Sequence, residues 1–155
     1  MRNAQRGTPN HALVSAVQSP DGLNAGIAFI LRDRNRDTIY STSYSIESDT
    51  FITAAYRALL EALYKARDSG AQKMTVYCDV TPVVAQLHQN EQVPSEAISL
   101  HLQVRALMNQ FDGVDIKVAH SGEHFIAHKL AAGAAQEQSQ NSSELNNLTL
   151  FPKEG

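Results

Sequence analysis

The sequence predicts one α/β domain in which helices flank a mixed five-stranded sheet. Three observations carry this expectation. Residues 11–46 hold three short β-prone runs separated by turn clusters. Residues 51–78 hold a long amphipathic stretch, a glycine stop and a short apolar run. Residues 113–137 repeat the pattern of a strand followed by a helix. Consecutive strands joined by short turns pair antiparallel, whereas β-α units that follow add parallel strands. The order βββ-α-β-α-α-β-α therefore gives a mixed sheet with helices packed on it.

Residues 1–10 are polar, contain Gly7 and Pro9, and are expected to form a flexible arm. His11 to Gln18 reads as the first strand. Ser19-Pro20-Asp21-Gly22 is a turn cluster, with residue types that bond their own backbone, fix φ or accept positive φ. Ala25 to Leu31 is a strongly apolar second strand. Arg32 to Asp37 (RDRNRD) turns the chain, and Thr38 to Ile46, rich in β-branched and aromatic residues, forms the third strand.

The stretch Phe51 to Val84 anchors the rest. Ile52, Tyr56, Leu59, Leu60, Leu63 and Ala66 recur at the spacing of one buried helix face. Ser48, Asp49 or Thr50 supplies the N-cap, and Ser69-Gly70 the stop. Met74 to Cys78 is short and apolar, as a central strand should be. Asp79 follows at the strand's end, the sheet edge where ligands gather in α/β proteins. Pro82 fits the first turn of the next helix, with Val83, Val84 and Leu87 as its apolar face. Asn90 to Pro94 is a break. Ser95 is a candidate cap, and Ile98, Leu102, Arg105, Leu107 and Phe111 support a helix to about Gln110. Asp112-Gly113 ends it, and Val114 to Ala119 is the last strand. His120-Ser121-Gly122 turns the chain into an alanine-rich helix from Glu123 to about Glu137. The domain thus spans 11–138. Residues 139–155 form a polar tail of Gln, Ser and Asn that is expected to be disordered. Near its end, Leu148 to Pro152 is a short apolar cluster suited either to a partner or to simple fraying.

Composition narrows the function classes. Hydrophobic residues at 43% and charged residues at 19% are ordinary for a globular domain. A formal net charge of −3 speaks against a dedicated nucleic-acid binder, though not against a local basic face. Arg32, Arg34 and Arg36 crowd one turn, and Lys65, Arg67 and Lys73 lie near a helix end. Such groups are ordinarily solvated faces. Cys78 is alone, so no internal disulfide forms, which suits a reducing compartment. There is no apolar run of about 18 residues. MRNAQRGTPN has no apolar core of a secretory signal. The expected location is cytoplasmic, with no membrane partner. Asn141-Ser-Ser and Asn147-Leu-Thr match the glycosylation pattern and are read as chance.

The order of elements over residues 12–138, and several local stretches, resemble the ribonuclease H type 1 family. Ala25-Gly26-Ile27-Ala28-Phe29-Ile30-Leu31-Arg32-Asp33 is similar to its second strand. Ala54-Ala55-Tyr56-Arg57-Ala58-Leu59 is similar to the helix that in the family runs Ala-Glu-Tyr-Arg-Ala-Leu. Val76-Tyr77-Cys78-Asp79, followed by Val83-Val84, resembles the strand and helix start that carry an active-site aspartate. His120-Ser121-Gly122, then Ala127-His128-Lys129-Leu130-Ala131, resembles the family's loop and final helix.

The family cuts the RNA strand of an RNA–DNA hybrid by in-line attack of water. Two Mg²⁺ ions about 4 Å apart activate the water and stabilise the leaving oxygen. Hard cations take oxygen ligands, and four carboxylates supply them in the family. The resemblance carries those four positions to Ser15 or Ala16, to Ala55, to Asp79 and to His128. Only Asp79 is an acid. The glycine-rich turn after the first strand, a basic protrusion and any tryptophan are also missing. The resemblance therefore implies a catalytically degenerate ribonuclease H-like domain without a cofactor. It would bind nucleic acid, as RNA–DNA hybrid or single strands, or a protein partner.

Two alternatives stay open. One is a metal-dependent hybrid ribonuclease using Mg²⁺ or Mn²⁺ at a site rebuilt around Asp79 and His128, with Asp21 reaching in. His120, His124 and His128 could join Asp79 in a mixed O/N site for Zn²⁺ or Mn²⁺. Glu61 lies six residues from Ala55, roughly 600° around the helix, and points elsewhere. The other is a self-associating scaffold using the tail, and the oligomeric state stays open. Asp79 also has a local reading, as N-cap of the helix at Thr81-Pro82, worth about 1 kcal/mol. The histidines have one too, as solvated helix-face residues.

Overall fold

Two turns fold the first three strands into a meander. A computed structural model of the chain describes residues 7–47, 50–119, 122 and 124–136. Strands β1 (His11–Gln18) and β2 (Asn24–Arg32) are joined by a turn in which Asp21 Oδ1 accepts from Ser19 Oγ and from the Leu23 amide. Gly22 takes φ 77° there, a left-handed value that glycine adopts without a Cβ clash. Between β2 and β3 (Thr38–Glu47), Asp33 Oδ1 accepts from the amides of Asn35 and Asp37 at 2.9 and 3.0 Å. Both pairs run antiparallel.

Helix α1 (Phe51–Asp68) starts at Thr50, whose hydroxyl accepts from the Thr53 amide at 3.1 Å. It ends at Ser69, with Gly70 at φ 92° carrying the chain away. Its buried side is wider than one stripe. Tyr56, Leu59, Leu60, Leu63 and Ala66 are buried, and so are Ala54, Ala55, Ala58 and Ala62. The reason is that α1 meets β1 and β2 on one side and α3 (Ile98–Met108) on another. Strand β4 (Lys73–Cys78) and helix α2 (Thr81–Leu87) follow, a short 3₁₀ turn at Ser95–Ala97 leads into α3, and β5 (Gly113–Val118) closes the sheet. The strand order is β3-β2-β1-β4-β5. β4 is parallel to both β1 and β5.

The sheet has two unequal faces. Ala12, Val14, Ile27, Phe29, Leu31, Val76 and Cys78 point to the main core with α1. Full burial of each larger aliphatic side chain there contributes about 1.5–3 kcal/mol. On that side the Tyr56 hydroxyl donates to Gln86 Oε1 at 2.8 Å and lies 3.0 Å from His101 Nδ1. Since a phenol has one proton, the His101 ring donates to it. This bond set ties α1, α2 and α3 together. Burial, then the nearby Cys78 and Glu91, pushes the Tyr56 phenol up to about 12.

Residues alternate across a strand, so Leu13, Ser15, Gly26 and Ile30 face the other way. A last helix, α4 (125–136), covers that face. Its footing is small: Ala127 packs with Leu13 and Ile30, with Tyr77 and Leu130 at the margin. Gly26 is what permits the seat. A Cβ there would collide with the Ala131 carbonyl oxygen and stand 2.5 Å from the Ala135 amide nitrogen.

The structure corrects two details. Ser95 caps nothing: Pro94 and Ala97 occupy the cap positions, without a side-chain hydrogen bond. Ile98 and Leu102 are 46% and 59% exposed; of the expected face α3 buries Leu107, together with Val104. The expectations for the arm at 1–6, Ser48, Asp49, His120, Ser121, Asn141, Asn147 and the tail fall outside the described residues.

Candidate functional site

Strand register builds the site. Val14 pairs with Cys78, the last pair of the β1–β4 ladder. The next residues along, Ser15 and Asp79, therefore face together toward α4. The Ser15 hydroxyl, fully buried, donates to Asp79 Oδ2 at 2.6 Å. At the start of α4 the His128 amide donates to the His124 carbonyl at 3.1 Å, which sets the two rings one turn apart. His128 Nδ1 lies 3.3 Å and His124 Nε2 3.5 Å from the same carboxylate oxygen. Three side chains from two elements thus converge on Asp79 Oδ2.

The electrostatics follow from these contacts. Burial pushes the Asp79 carboxyl up, but the contacts from His124, Ser15 and His128 outweigh it and hold the group below the usual aspartate range. An ionised carboxylate only accepts, so His128 Nδ1 carries the proton in this contact. At 3.5 Å the His124 ring is within ion-pair reach but is not satisfied by a hydrogen bond. Both its nitrogens, and Asp79 Oδ1, are buried without a hydrogen-bond partner. His124 is 5% exposed, whereas the His128 side chain is 55% exposed.

The remaining candidates separate. Ala16 points into the main core, so of the two first-strand candidates only Ser15 faces Asp79. Ala55 is fully buried in α1. Asp79 does not cap α2: the N-cap is Val80 and no side chain caps it. Its short contact with Ser15 turns the carboxylate toward α4 instead. Asp21 does not reach inward, because it is exposed and its Oδ1 is held by its own turn, which also lowers its pKa. Glu61 is half-buried on α1, and burial raises its carboxyl. His120 lies outside the described residues. The two basic clusters singled out from the sequence do not flank Asp79. Arg32 pairs with His11, and His11 with Thr75, so the arginine turn and Lys73 stand at the opposite end of the sheet. Lys65 lies 4.4 Å over the Tyr40 ring, and Arg67 bonds Gln110 at 2.6 Å. Two features were missed by sequence reasoning: the hydroxyl of Ser15 as an anchor of Asp79, and Gly26 as the seat of α4. Strand parity was the signal for the first; a lone glycine inside an apolar strand was the signal for the second.

A pair of Mg²⁺ ions does not fit this donor set. Mg²⁺ takes oxygen ligands in octahedral geometry. Among the described residues one carboxylate, already engaged by a hydroxyl and two imidazoles, stands here. Among the described residues no three histidine, cysteine or carboxylate side chains already surround one cation position.

A family model described as reverse transcriptase-like matches residues 15–134. The chain belongs to that family. Solved structures agree on the fold, which is that of a ribonuclease H domain. The N-terminal RNase H domain of a Mycobacterium tuberculosis protein superposes with a TM-score of 0.79 at 22% identity, over 85% of this chain and 96% of that one. RNase H1 of the archaeon Halobacterium salinarum gives 0.74 at 22% identity, over 80% and 95%. An RNase H1 isolated from compost, solved in complex with RNA/DNA hybrid, gives 0.68 at 18% identity, over 80% and 96%. At these identities the likeness concerns the reverse transcriptase-like fold alone. No curated protein matches the chain. No described helix is long and apolar enough to cross a membrane.

Proposed function

We propose that this reverse transcriptase-like domain binds nucleic acid, RNA–DNA hybrid first among its forms, without performing two-metal hydrolysis. The observation that carries the reading is the content of the site. The family's four acid positions fall on Ser15, Ala55, Asp79 and His128, and the structure brings three of these together around a single carboxylate. Two divalent cations beside one carboxylate would be left largely uncompensated. Without them the attacking water is not activated and the leaving oxygen is not stabilised, terms worth several kcal/mol. The partner class is supported by relatives of the same fold that were solved with RNA/DNA hybrid, the compost RNase H1 and a foamy viral protease-reverse transcriptase.

The test has two arms. Binding of labelled hybrid, single-stranded RNA and single-stranded DNA is measured over a salt series, and hybrid cleavage is assayed in Mg²⁺ and in Mn²⁺. Saturable, salt-sensitive hybrid binding with no cleavage is expected. Metal-dependent cleavage abolished by Asp79→Ala would establish the rebuilt nuclease instead, a reading favoured by the 3.3 Å contact between His128 and Asp79. A protein partner becomes the better reading if none of the nucleic acids binds.

A further inference from the structure

The two edges of the sheet are built differently. β5, at one edge, has 6 residues and carries Asp115 and Lys117. β3, at the other, has 10 residues with no lysine, arginine, aspartate or proline, and Glu47 at its end is its sole charge. Its one irregularity is a register shift at its start, beside Leu31 and Arg32. Among the described residues no strand pairs with the outer side of β3. An edge strand leaves alternate N–H and C=O groups unpaired. Charge, proline, bulges and short length are the devices that keep such an edge from pairing with another chain. Past its first residues β3 has none of them until Glu47.

The middle of β3 reads the same in both directions about Thr42: Tyr40-Ser41-Thr42-Ser43-Tyr44. We propose that this edge pairs antiparallel with the same edge of a second copy of the chain, on a two-fold axis through Thr42. Thr42 then stands opposite the partner's Thr42, Ser41 opposite the partner's Ser43, and Tyr40 opposite the partner's Tyr44. An axis through a residue suits either kind of antiparallel residue pair, hydrogen-bonded or not, so the outward peptide groups find partners whichever parity they have. The axis is normal to the sheet and keeps its faces. Tyr40, Thr42 and Tyr44 pair with Leu31, Phe29 and Ile27 of the main core, so both tyrosine–tyrosine pairs form on the α1 side. Tyr40 is 37% exposed, and its ring stands 5.7 Å from that of Phe29. A tyrosine beside it extends an aromatic row that the core already begins. Aromatic pairs and hydroxyl pairs both stabilise facing strands. At each end the arrangement brings Glu47 toward the other copy's turn at residues 32–37, which holds 3 arginines against 2 aspartates in RDRNRD. The contact is isologous and closes on itself, so it gives a dimer with one continuous sheet rather than a fibre. It stands independently of the nucleic-acid reading.

Sedimentation velocity of the full chain, free of nucleic acid, is run from about 1 μM to about 1 mM, the span in which interfaces below about 1,200 Å² associate. A reversible monomer–dimer equilibrium is expected. Ser41→Lys combined with Ser43→Lys opposes like charges at two places across the axis and should weaken the dimer at least about 10-fold. Ser41→Lys combined with Ser43→Glu opposes unlike charges at the same two places and should restore it. Both positions are exposed, so each double variant should keep the circular dichroism and thermal midpoint of wild type. Register is read by oxidation. Thr42→Cys should crosslink to its own copy, whereas Ser41→Cys, offset by two residues from its copy, stays beyond the roughly 7 Å Cα separation that a disulfide spans. Cys78 is buried and does not compete. A chain that is monomeric at every concentration overturns the proposal. So does a dimer that the two double variants weaken alike, or that neither weakens, because the contact then lies elsewhere, as on the tail.

Discussion

Asp79 Oδ2 takes one short hydrogen bond and two longer contacts from imidazoles, and this crowding is the chemistry of the site. The carboxyl is held below its ordinary value, so its contribution to stability is present above the unfolded-state value and is lost as pH falls through the folded one. Urea titrations of wild type and Asp79→Asn, run from pH 7 downward, should give stabilities whose difference is constant above about pH 5. That difference should shrink below about pH 4, the unfolded range of an aspartate. A difference that grows on acidification would refute the assigned direction. At this scale the sequence was informative where geometry is local. A strand ending in Asp79 was legible from a short apolar run followed by an acid, whereas the choice between Ser15 and Ala16 needed the strand register. That His124 is buried while His128 is exposed was not legible. The two stand one helical turn apart, and spacing alone does not say which ring is covered.

At the scale of elements, small residues decide how closely helices approach. Gly26 lets α4 lie directly on the β2 backbone. Gly26→Ala should force the helix outward at a cost of about 1–3 kcal/mol, the usual range for overpacking. It should also pull both imidazoles from Asp79, visible as shifts of the His124 and His128 ring resonances at a pH where wild type is fully folded. Unchanged ring resonances with lowered stability would show that the helix adapts without moving the site. On the other face, Tyr56→Phe removes the hydroxyl shared by Gln86 and His101. It should cost about 1–2 kcal/mol by thermal or urea unfolding, because a buried amide and a part-buried ring lose their partner. Helix α1 was legible almost to the residue, since its leucines repeat at helical spacing between a threonine cap and a glycine stop. The buried face of α3 was not. Ile98 and Leu102 are as apolar as Val104, yet they stand in solvent while Val104 is buried.

For the whole molecule, the mixed sheet was foreseeable because a meander followed by β-α units has few ways to close. The position of charge was not. The basic turn at residues 32–37 and the carboxylate at residue 79 belong to opposite ends of the sheet, and strand register alone reveals this. With a formal net charge of −3, nucleic acid would meet little long-range attraction. Hybrid binding should therefore show a shallow salt slope, equivalent to a few phosphate contacts. A steep slope would place the contact surface on the arginine end instead.

The pairing of β1 with β4 also has a kinetic consequence. Ser15 and Asp79 are 64 residues apart in the chain, and the strands that bring them together are parallel. The meander β1-β2-β3 can zip up through adjacent turns, but no collapse of neighbours can create the Ser15–Asp79 contact. It exists only after the chain has closed a loop containing β2, β3 and all of α1, whose entropic cost rises with the logarithm of its length. The histidines arrive still later in sequence, on a helix with little apolar footing. The site is thus a long-range product of the fold, completed after the local structure that surrounds it.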